Sequence, residues 1–201
     1  MILIGYSGHA FVVYGIINGT GKKITGYCDT EQKQYNPFNL VYIGKEDCVD
    51  AADAFKKDDF FIAIGDNKIR ERIQFKMSEK GFFPINAIHP SATIDPSAII
   101  EKSGVMIAAN ATINPLAKIS LGVICNTGCI IEHECSVGAF SHIGPGAVLC
   151  GNVTIGHRSF VGAGAVIRQG VTVGSNVIIG AGAVVLKDVP DDTTVIGVPA
   201  K

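Results

Sequence analysis

The sequence contains no tryptophan, and aromatic residues make up only 7% of its 201 residues. Its 17 Lys and Arg residues nearly balance its 18 Asp and Glu residues, so no excess of positive charge indicates a nucleic-acid partner or an anionic membrane surface. No apolar run approaches the roughly 18 residues that a membrane-spanning helix requires. The chain is instead rich in hydrophobic residues (47%) and has 24 glycines, which favours small aliphatic core residues joined by narrow turns.

The cysteines are spaced without a CxxC pair, and residues 1–4 carry no basic leader. We therefore expect a cytoplasmic protein whose thiols stay reduced. In that setting we interpret the cysteines as small buried hydrophobic residues rather than as disulfides or zinc ligands. They are Cys28, Cys48, Cys125, Cys129, Cys135 and Cys150.

A six-residue repeat of apolar residues runs through the second half of the chain. Every sixth residue from Ile107 to Val185 is apolar, and the residue four positions later is small or β-branched throughout. A helix with 3.6 residues per turn cannot hold a period of six, and each glycine inside a helix would cost about 1 kcal/mol. The pattern therefore predicts short parallel strands that stack as triangular coils of three repeats each, about five coils from Ile94 to near Val189.

The first half alternates strand and helix patterns. Apolar runs at residues 1–4, 24–29 and 58–65 predict strands, and residues 11–21 and 67–80 predict helices, the second with its charged side chains outside. This alternation indicates a small parallel sheet of Rossmann-like α/β type. We place the boundary near residue 88, with an N-terminal domain over 1–88 and a β-helix over 89–201.

Ligands of such sheets bind at the carboxyl ends of the strands, which here are residues 5–9, Asp29 and residues 65–67. The sequence Gly5-Tyr6-Ser7-Gly8-His9-Ala10 lacks the full G-x-G-x-x-G spacing, which argues against a dinucleotide. One interpretation is a phosphate or pyrophosphate held by backbone N–H groups at a helix N-terminus, with Asp29 accepting from a ribose or base. The other is a tight structural turn.

Chemistry on the β-helix must lie outside its aliphatic interior. His133 falls two residues after an interior position, between Glu132 and Glu134, and a carboxylate could orient its imidazole for general-base work. The alternative is a solvated surface histidine. His142 also leaves the interior, and Asn126 lies within one coil of His133.

These segments together resemble the hexapeptide-repeat sugar O-/N-acyltransferase family, and most closely the UDP-4-amino-sugar N-acetyltransferases of bacillosamine biosynthesis. The resemblance rests on Gly5-x-Ser7-Gly8-His9, Phe60-Phe61-Ile62-Ala63-Ile64-Gly65-Asp66-Asn67, Asn126-Thr127, Glu132-His133-Glu134, Ser141-His142 and Gly197-Val198-Pro199-Ala200-Lys201. It covers essentially the whole chain. It implies a left-handed parallel β-helix, acetyl-CoA as co-substrate, no metal, and a homotrimer with active sites between subunits.

The resemblance also implies residue roles. His133 would be the general base, Glu134 its orienting partner, and Asn126 part of the acceptor site. The nucleotide sugar would be held by Ser7, Gly8, His9, Asp29, Gly65, Asp66 and Asn67. Acetyl-CoA would contact His142, Gly151, Ala163, Gly180, Gly182, Gly197, Pro199 and Lys201.

The reaction that we expect is direct N-acetylation of the 4-amino group of a UDP-linked 4-amino-4,6-dideoxy sugar. Two close alternatives are O-acetylation of a sialic acid and N-acetylation of a GDP- or dTDP-linked amino sugar. A third, of a different class, is a non-catalytic or metal-binding β-helix, which would need three converging histidines.

Overall fold

The computed structural model describes residues 1–201. Its N-terminal part is a four-stranded parallel sheet in the order β3-β2-β1-β4. The elements are β1 (Ile2–Ile4), α1 (Gly8–Gly19), β2 (Gly26–Cys28), β3 (Val41–Gly44), α2 (Val49–Phe55), β4 (Phe60–Ile62) and α3 (Asn67–Glu79). The predicted Rossmann-like α/β class is confirmed, while β3 and α2 add an edge strand and a short helix that the patterns above do not indicate.

The remaining strands are two residues long and form three parallel sheets, which are the three faces of a left-handed β-helix. We name each face by what lies on its outer side, which is the N-terminal domain, apolar side chains or polar side chains. The docked face contains β5 (Ala87–Ile88), β8 (Met106–Ile107), β11 (Ile124–Cys125), β14 (His142–Ile143), β17 (Phe160–Val161), β20 (Ile178–Ile179) and β22 (Thr194–Val195). The apolar face contains β6 (Thr93–Ile94), β9 (Thr112–Ile113), β12 (Ile130–Ile131), β15 (Val148–Leu149), β18 (Val166–Ile167) and β21 (Val184–Val185). The polar face contains β7 (Ile99–Ile100), β10 (Lys118–Ile119), β13 (Ser136–Val137), β16 (Thr154–Ile155) and β19 (Thr172–Val173).

The predicted repeat is confirmed residue by residue. Between Met106 and Val185 the paired strands lie eighteen residues apart, as in Ile124 with His142, so three hexapeptides make one coil. All fourteen predicted interior positions from Ile107 to Val185 are at most 2% exposed. The small positions between them are buried as well, and most join one aliphatic column with the others.

The three faces differ in what they present outward. On the docked face, Met106 and Ile124 are buried in one cluster with Ala10 and Val13 of α1, so helix α1 of the N-terminal domain packs on the β-helix. The apolar face presents half-buried β-branched side chains: Thr112, Ile130, Val148, Val166 and Val184. The polar face presents Lys118, Ser136, Thr154 and Thr172.

Helix α3 corrects one expectation from the sequence. Its buried face consists of Arg70, Ile73, Gln74 and Met77, so not all of its charged side chains lie outside. Arg70 is 1% exposed because it faces the β-helix rather than solvent. None of the helices in the structure is both long and apolar enough to span a membrane.

Candidate active site

His133 and Glu134 form an exposed pair on the corner between the apolar and polar faces. His133 Nδ1 lies 3.0 Å from Glu134 Oε2, and the two side chains are 50% and 57% exposed. Because a carboxylate can only accept, Nδ1 carries a ring proton, and in the neutral imidazole Nε2 then keeps its lone pair. The pair therefore presents a basic nitrogen to solvent, as general-base chemistry requires.

The backbone turns around this pair bring Gly151 against the imidazole. Glu134 has a positive φ of 61°, a left-handed conformation that is uncommon for glutamate. The His133 ring lies over Gly151, where an added Cβ would come within 2.5 Å of Cε1 and Nε2. Glycine is needed at residue 151 for this close approach. The Gly151 N–H also makes no backbone hydrogen bond, which leaves a donor next to the imidazole.

A second cluster lies under the N-terminal domain, where Asn126 and His142 meet His9. Asn126 Oδ1 accepts from the Thr127 N–H at 2.8 Å, so its Nδ2 is free to donate to His142 Nε2 at 3.1 Å. That bond assigns the ring proton of His142 to Nδ1, which has no hydrogen-bond partner in the protein. The His9 ring lies 6.0 Å from the His142 ring, and His9 Nε2 also has no partner.

Both imidazoles of this cluster are held neutral. Burial, and then the charge of Arg70, lower the pKa of His9 to about 4. Burial, Arg70 and His9 together lower the pKa of His142 to about 3. At neutral pH each ring is therefore one donor and one acceptor rather than a cation.

Within one chain the two clusters stay apart. Asn126 begins the corner between the docked and apolar faces, His142 lies on the docked face beside it, and His133 lies one corner further along the coil. The structure pairs His133 with Glu134 and Asn126 with His142, but it does not bring Asn126 to His133. Both corners border the apolar face.

The residues expected to contact acetyl-CoA divide between the same two corners. Gly151 lies against His133, whereas Ala163, Gly180 and Gly182 belong to the corner that starts at Asn126. That corner is nearly free of side chains, and its turns stack directly, with the Gly182 N–H donating to the Ala163 carbonyl at 2.8 Å. This corner therefore presents a surface made mostly of backbone, with open space above it.

The chain end extends this corner. Gly197, in a left-handed conformation with φ 95°, accepts from the Val184 N–H at 3.0 Å. Lys201 exchanges two 3.1 Å backbone hydrogen bonds with Ile196, so the tail through Pro199 folds back on the last coil. Gly197, Pro199 and Lys201 are all exposed there.

Ser7 and Gly8 open a pocket of about 380 Å³ at the carboxyl ends of the strands. Both are exposed at the start of α1, and the Ser7 side chain makes no capping hydrogen bond. Phe11, Lys33 and Tyr35 complete the lining. Asp29 supports this pocket from below, since it accepts from the Tyr6 N–H at 2.9 Å and pairs with Lys33 at 3.3 Å.

The residues at the end of β4 border a groove of about 570 Å³ between the N-terminal domain and the docked face. Asp66 caps α3 by accepting from the Ile69 N–H at 2.8 Å. Asn67 donates to the Arg158 carbonyl at 3.0 Å across the groove. Gly65 faces the His9 ring, and a Cβ added at residue 65 would lie 3.6 Å from His9 Cγ. The side chains of Asp66 and Asn67 thus make hydrogen bonds within the protein. Gly65 has no side chain and so leaves space for the His9 imidazole.

The sequence patterns missed two contributors to this region, Phe160 and Glu71. Phe160 packs edge-on against His142 with ring centroids 5.0 Å apart. Glu71 bridges from α3 to His157 at 2.8 Å and to Arg158 at 3.1 Å. The signal for Phe160 was available, because it occupies the same outward position as His142 one coil later. No group of three or more His, Cys, Asp or Glu side chains converges to hold a metal ion.

Comparison with known proteins identifies the family of the chain. Residues 1–77 match the PglD N-terminal domain family, and residues 134–169 and 152–187 match bacterial transferase hexapeptide repeats. A histidine-to-asparagine mutant of perosamine N-acetyltransferase from Caulobacter crescentus, solved with CoA and GDP-perosamine, is 36% identical over 100% of this chain and 94% of its own, with a TM-score of 0.92.

Two further structures extend the comparison. The acetyltransferase domain of PglB from Neisseria gonorrhoeae FA1090, in complex with acetyl coenzyme A, is 38% identical over 100% of this chain and 97% of its own, with a TM-score of 0.89. WeeI from Acinetobacter baumannii AYE, at 22% identity over 100% of this chain and 97% of its own and a TM-score of 0.88, shares the fold. The chain therefore belongs to the hexapeptide-repeat sugar N-acetyltransferases that carry a PglD N-terminal domain.

Proposed function

We propose that this protein transfers the acetyl group of acetyl-CoA to the 4-amino group of a UDP-linked 4-amino-4,6-dideoxy sugar. The observation that carries the proposal is the His133–Glu134 pair, whose 3.0 Å contact leaves Nε2 basic beside a glycine-lined surface. The complexes of PglB with acetyl coenzyme A and of perosamine N-acetyltransferase with CoA support the acyl donor.

The reaction needs one proton acceptor and good alignment. His133 Nε2 takes a proton from the sugar ammonium, and the freed nitrogen attacks the thioester carbonyl carbon. A C–N bond forms, the C–S bond breaks, and CoA leaves as a thiolate that is then protonated. The unpaired Gly151 N–H next to the imidazole is a suitable donor to the tetrahedral oxyanion. No covalent enzyme intermediate is required, because an amine is already a competent nucleophile.

We further propose that the active site lies between subunits of a homotrimer. The apolar face is the least polar uncovered surface of the β-helix, with Ile130, Val148 and Val166 half-buried along it. If three apolar faces meet around a threefold axis, the His133 corner of one copy lies beside the Asn126 corner of the next. The groove between them would hold acetyl-CoA along Ala163 and Gly180, with His142 near the thioester.

The nucleotide sugar would reach this groove from the N-terminal domain. Its diphosphate suits the N-terminus of α1 at Ser7 and Gly8, with Lys33 as a nearby positive charge. A GDP-linked 4-amino sugar is the second candidate, because one similar enzyme is solved with GDP-perosamine. The base is therefore the part of the substrate that needs a direct test.

The substrate test is a free-thiol release assay with acetyl-CoA and a panel of acceptors. It compares UDP-, GDP- and dTDP-linked 4-amino-4,6-dideoxy sugars with a sialic acid. We expect the highest kcat/KM with the UDP sugar. A preference for the GDP sugar would replace UDP by GDP in the proposal, and activity on the sialic acid alone would overturn N-acetylation.

The mechanistic test is His133→Ala, compared with Glu134→Gln. Loss of a general base should lower kcat by about 10²–10⁴-fold, while Glu134→Gln should cost less because it keeps the imidazole. Both side chains are half-exposed, so circular dichroism and the melting temperature should stay unchanged. Near wild-type turnover of His133→Ala would rule out His133 as the base.

A further inference from the structure

Arg70 is a fully buried arginine without a carboxylate partner. It is 1% exposed and makes five hydrogen bonds, all to neutral oxygens. Nε donates to the Gly122 carbonyl at 2.9 Å, and Nη2 donates to the Phe140 carbonyl at 2.8 Å. Nη1 donates to the carbonyls of Ile64 and Gly65 at 3.1 Å each, and Nη2 also donates to Asn67 Oδ1 at 2.9 Å. All five N–H groups of the guanidinium are thus used.

These bonds join the backbone segments that carry the two buried histidines. Phe140 lies two residues before His142, so its carbonyl anchors the turn that leads into that strand. The Gly65 turn faces the His9 ring, so closely that a Cβ added at residue 65 would be in van der Waals contact with it. Arg70 contacts neither imidazole through a hydrogen bond, but it fixes the support of both.

The charge of Arg70 has a separate effect. Burial lowers its pKa to about 9, with Asp66 and Glu71 opposing that shift, so the guanidinium is protonated at neutral pH. Among the charged side chains, Arg70 is the one that lowers the pKa of both His9 and His142. A neutral hydrogen-bonding residue would satisfy some of the same carbonyls without this electrostatic effect.

We propose that Arg70 is a positioning residue of the acetyl-transfer site, which holds His142 and His9 in place through backbone hydrogen bonds and sets a buried positive charge in the same cluster. Its catalytic meaning rests on the proposed function. In the neutral His142 ring, Nε2 accepts the hydrogen bond from Asn126, and this bond couples the orientation of the ring to a predicted acceptor-site residue. A protonated ring would lose the hydrogen bond that Nε2 accepts from Asn126.

The test separates charge from geometry with Arg70→Gln and Arg70→Lys. The matched control is Arg72→Gln, which makes the same change at an exposed position of α3. The imidazole pKa values are measured by NMR on protein labelled at the histidine Cε1, in the absence of substrate. This readout does not depend on acetyl transfer, so it can fail independently of the proposed function.

We expect Arg70→Gln to raise the pKa of both His142 and His9, because a buried cation is removed, while burial still holds both values below that of a free imidazole. Arg70→Lys should keep both low. Arg70→Lys should nevertheless lower kcat about tenfold or more, because an ammonium cannot reproduce five fixed donors. Arg72→Gln should change neither quantity.

Two results would overturn the proposal. One is unchanged histidine pKa values in folded Arg70→Gln, which would remove the electrostatic role. The other is full activity of Arg70→Lys, which would remove the positioning role. If Arg70→Gln does not fold, Arg70→Lys still decides the matter, because a raised histidine pKa or wild-type kcat in that variant contradicts the proposal.

Discussion

The protonation of His133 follows from the residue that comes after it. Glu134 lies in a left-handed backbone conformation, which places its carboxylate against Nδ1 of the preceding ring. Because that oxygen can only accept, the tautomer with a basic Nε2 is fixed before any substrate binds. An isolated surface histidine would exchange between tautomers, so the adjacent glutamate is what distinguishes the catalytic interpretation from a solvated side chain.

Gly151→Ala tests the position of this ring. The backbone φ at residue 151 is not positive, so alanine can adopt it, but its Cβ would come within 2.5 Å of Cε1 and Nε2. The exposed imidazole must then move, and a displacement of about 1 Å can cost up to about 10²-fold in rate. We expect kcat to fall at least about tenfold in the thiol-release assay, with the melting temperature unchanged.

Gly15→Ala is the control for this substitution. Gly15 lies in α1, is exposed, and has no atom within 4 Å of an added Cβ. Alanine there should leave kcat unchanged and stabilise the helix by up to about 1 kcal/mol. Wild-type kcat in Gly151→Ala would show that the ring position is unimportant for the rate.

The sequence predicted a role for His133, Glu134 and His142 because each places a titratable side chain in a repeat that otherwise consists mainly of aliphatic, small and turn-forming residues. It did not reveal the burial of Arg70, although Arg70, Ile73, Gln74 and Met77 follow the spacing of one helix face. Because its side chain is charged, an arginine at such a position is ordinarily predicted to be exposed to solvent. Only the carbonyls of Gly122 and Phe140 on the other domain explain its burial, and their position depends on tertiary packing.

At the level of elements, the β-helix was predictable because an α-helix cannot hold a six-residue period of apolar residues. Every coil repeats the same inward positions, so a single phase fixes all of them. The N-terminal sheet was less predictable because its units differ. β3 is an edge strand with an exposed Val41, and α2 has only seven residues, so neither gives a strong periodic signal.

The interior column of the β-helix contains two serines. A substitution of one of them, Ser159, measures how much a buried side-chain hydroxyl stabilises the coils. Ser159 is fully buried; its Oγ donates to the Gly174 carbonyl at 2.6 Å and accepts from the Val177 N–H at 3.0 Å. Ser159→Ala leaves both backbone groups unpaired, which should lower the free energy of unfolding by about 1–3 kcal/mol. Urea denaturation at one fixed protein concentration measures this, because oligomer stability depends on concentration.

Ser136→Ala provides the comparison on the same scaffold. Ser136 is an outward residue of the polar face, so its loss should change stability by less than about 0.5 kcal/mol. Equal effects of the two substitutions would mean that the Ser159 hydroxyl adds nothing beyond what an alanine provides.

At the level of the whole molecule, the position of the candidate site depends on which face of the β-helix is covered and which corners border the open face. The N-terminal domain covers the first coils of the docked face, which leaves the apolar face open. The two chemically distinctive corners flank that open face, one with His133 and one with Asn126 and His142. The sequence placed these residues within one coil, but only the three-faced geometry shows that a single copy keeps them apart.

This separation can be tested by mixing two inactive proteins, His133→Ala and His142→Ala. If each site takes His133 from one copy and His142 from the next, every mixed trimer contains one site with both histidines intact. Random assembly from equal amounts makes about three quarters of the trimers mixed, so about a quarter of all sites should be native. Purification by two different tags retains only the mixed trimers, in which one site of three is native, so we expect about one third of wild-type kcat after co-expression and this purification.

The expected recovery depends on assembly, so each variant alone and a simple mixture of preformed oligomers serve as controls. Both should stay inactive, because neither contains a native site. If both histidines act within one copy, each active centre carries one defect in every combination and no activity returns. Light scattering that shows a monomer would contradict the trimer itself. A trimer without recovered activity would retain the assembly but place His133 and His142 in one subunit's site.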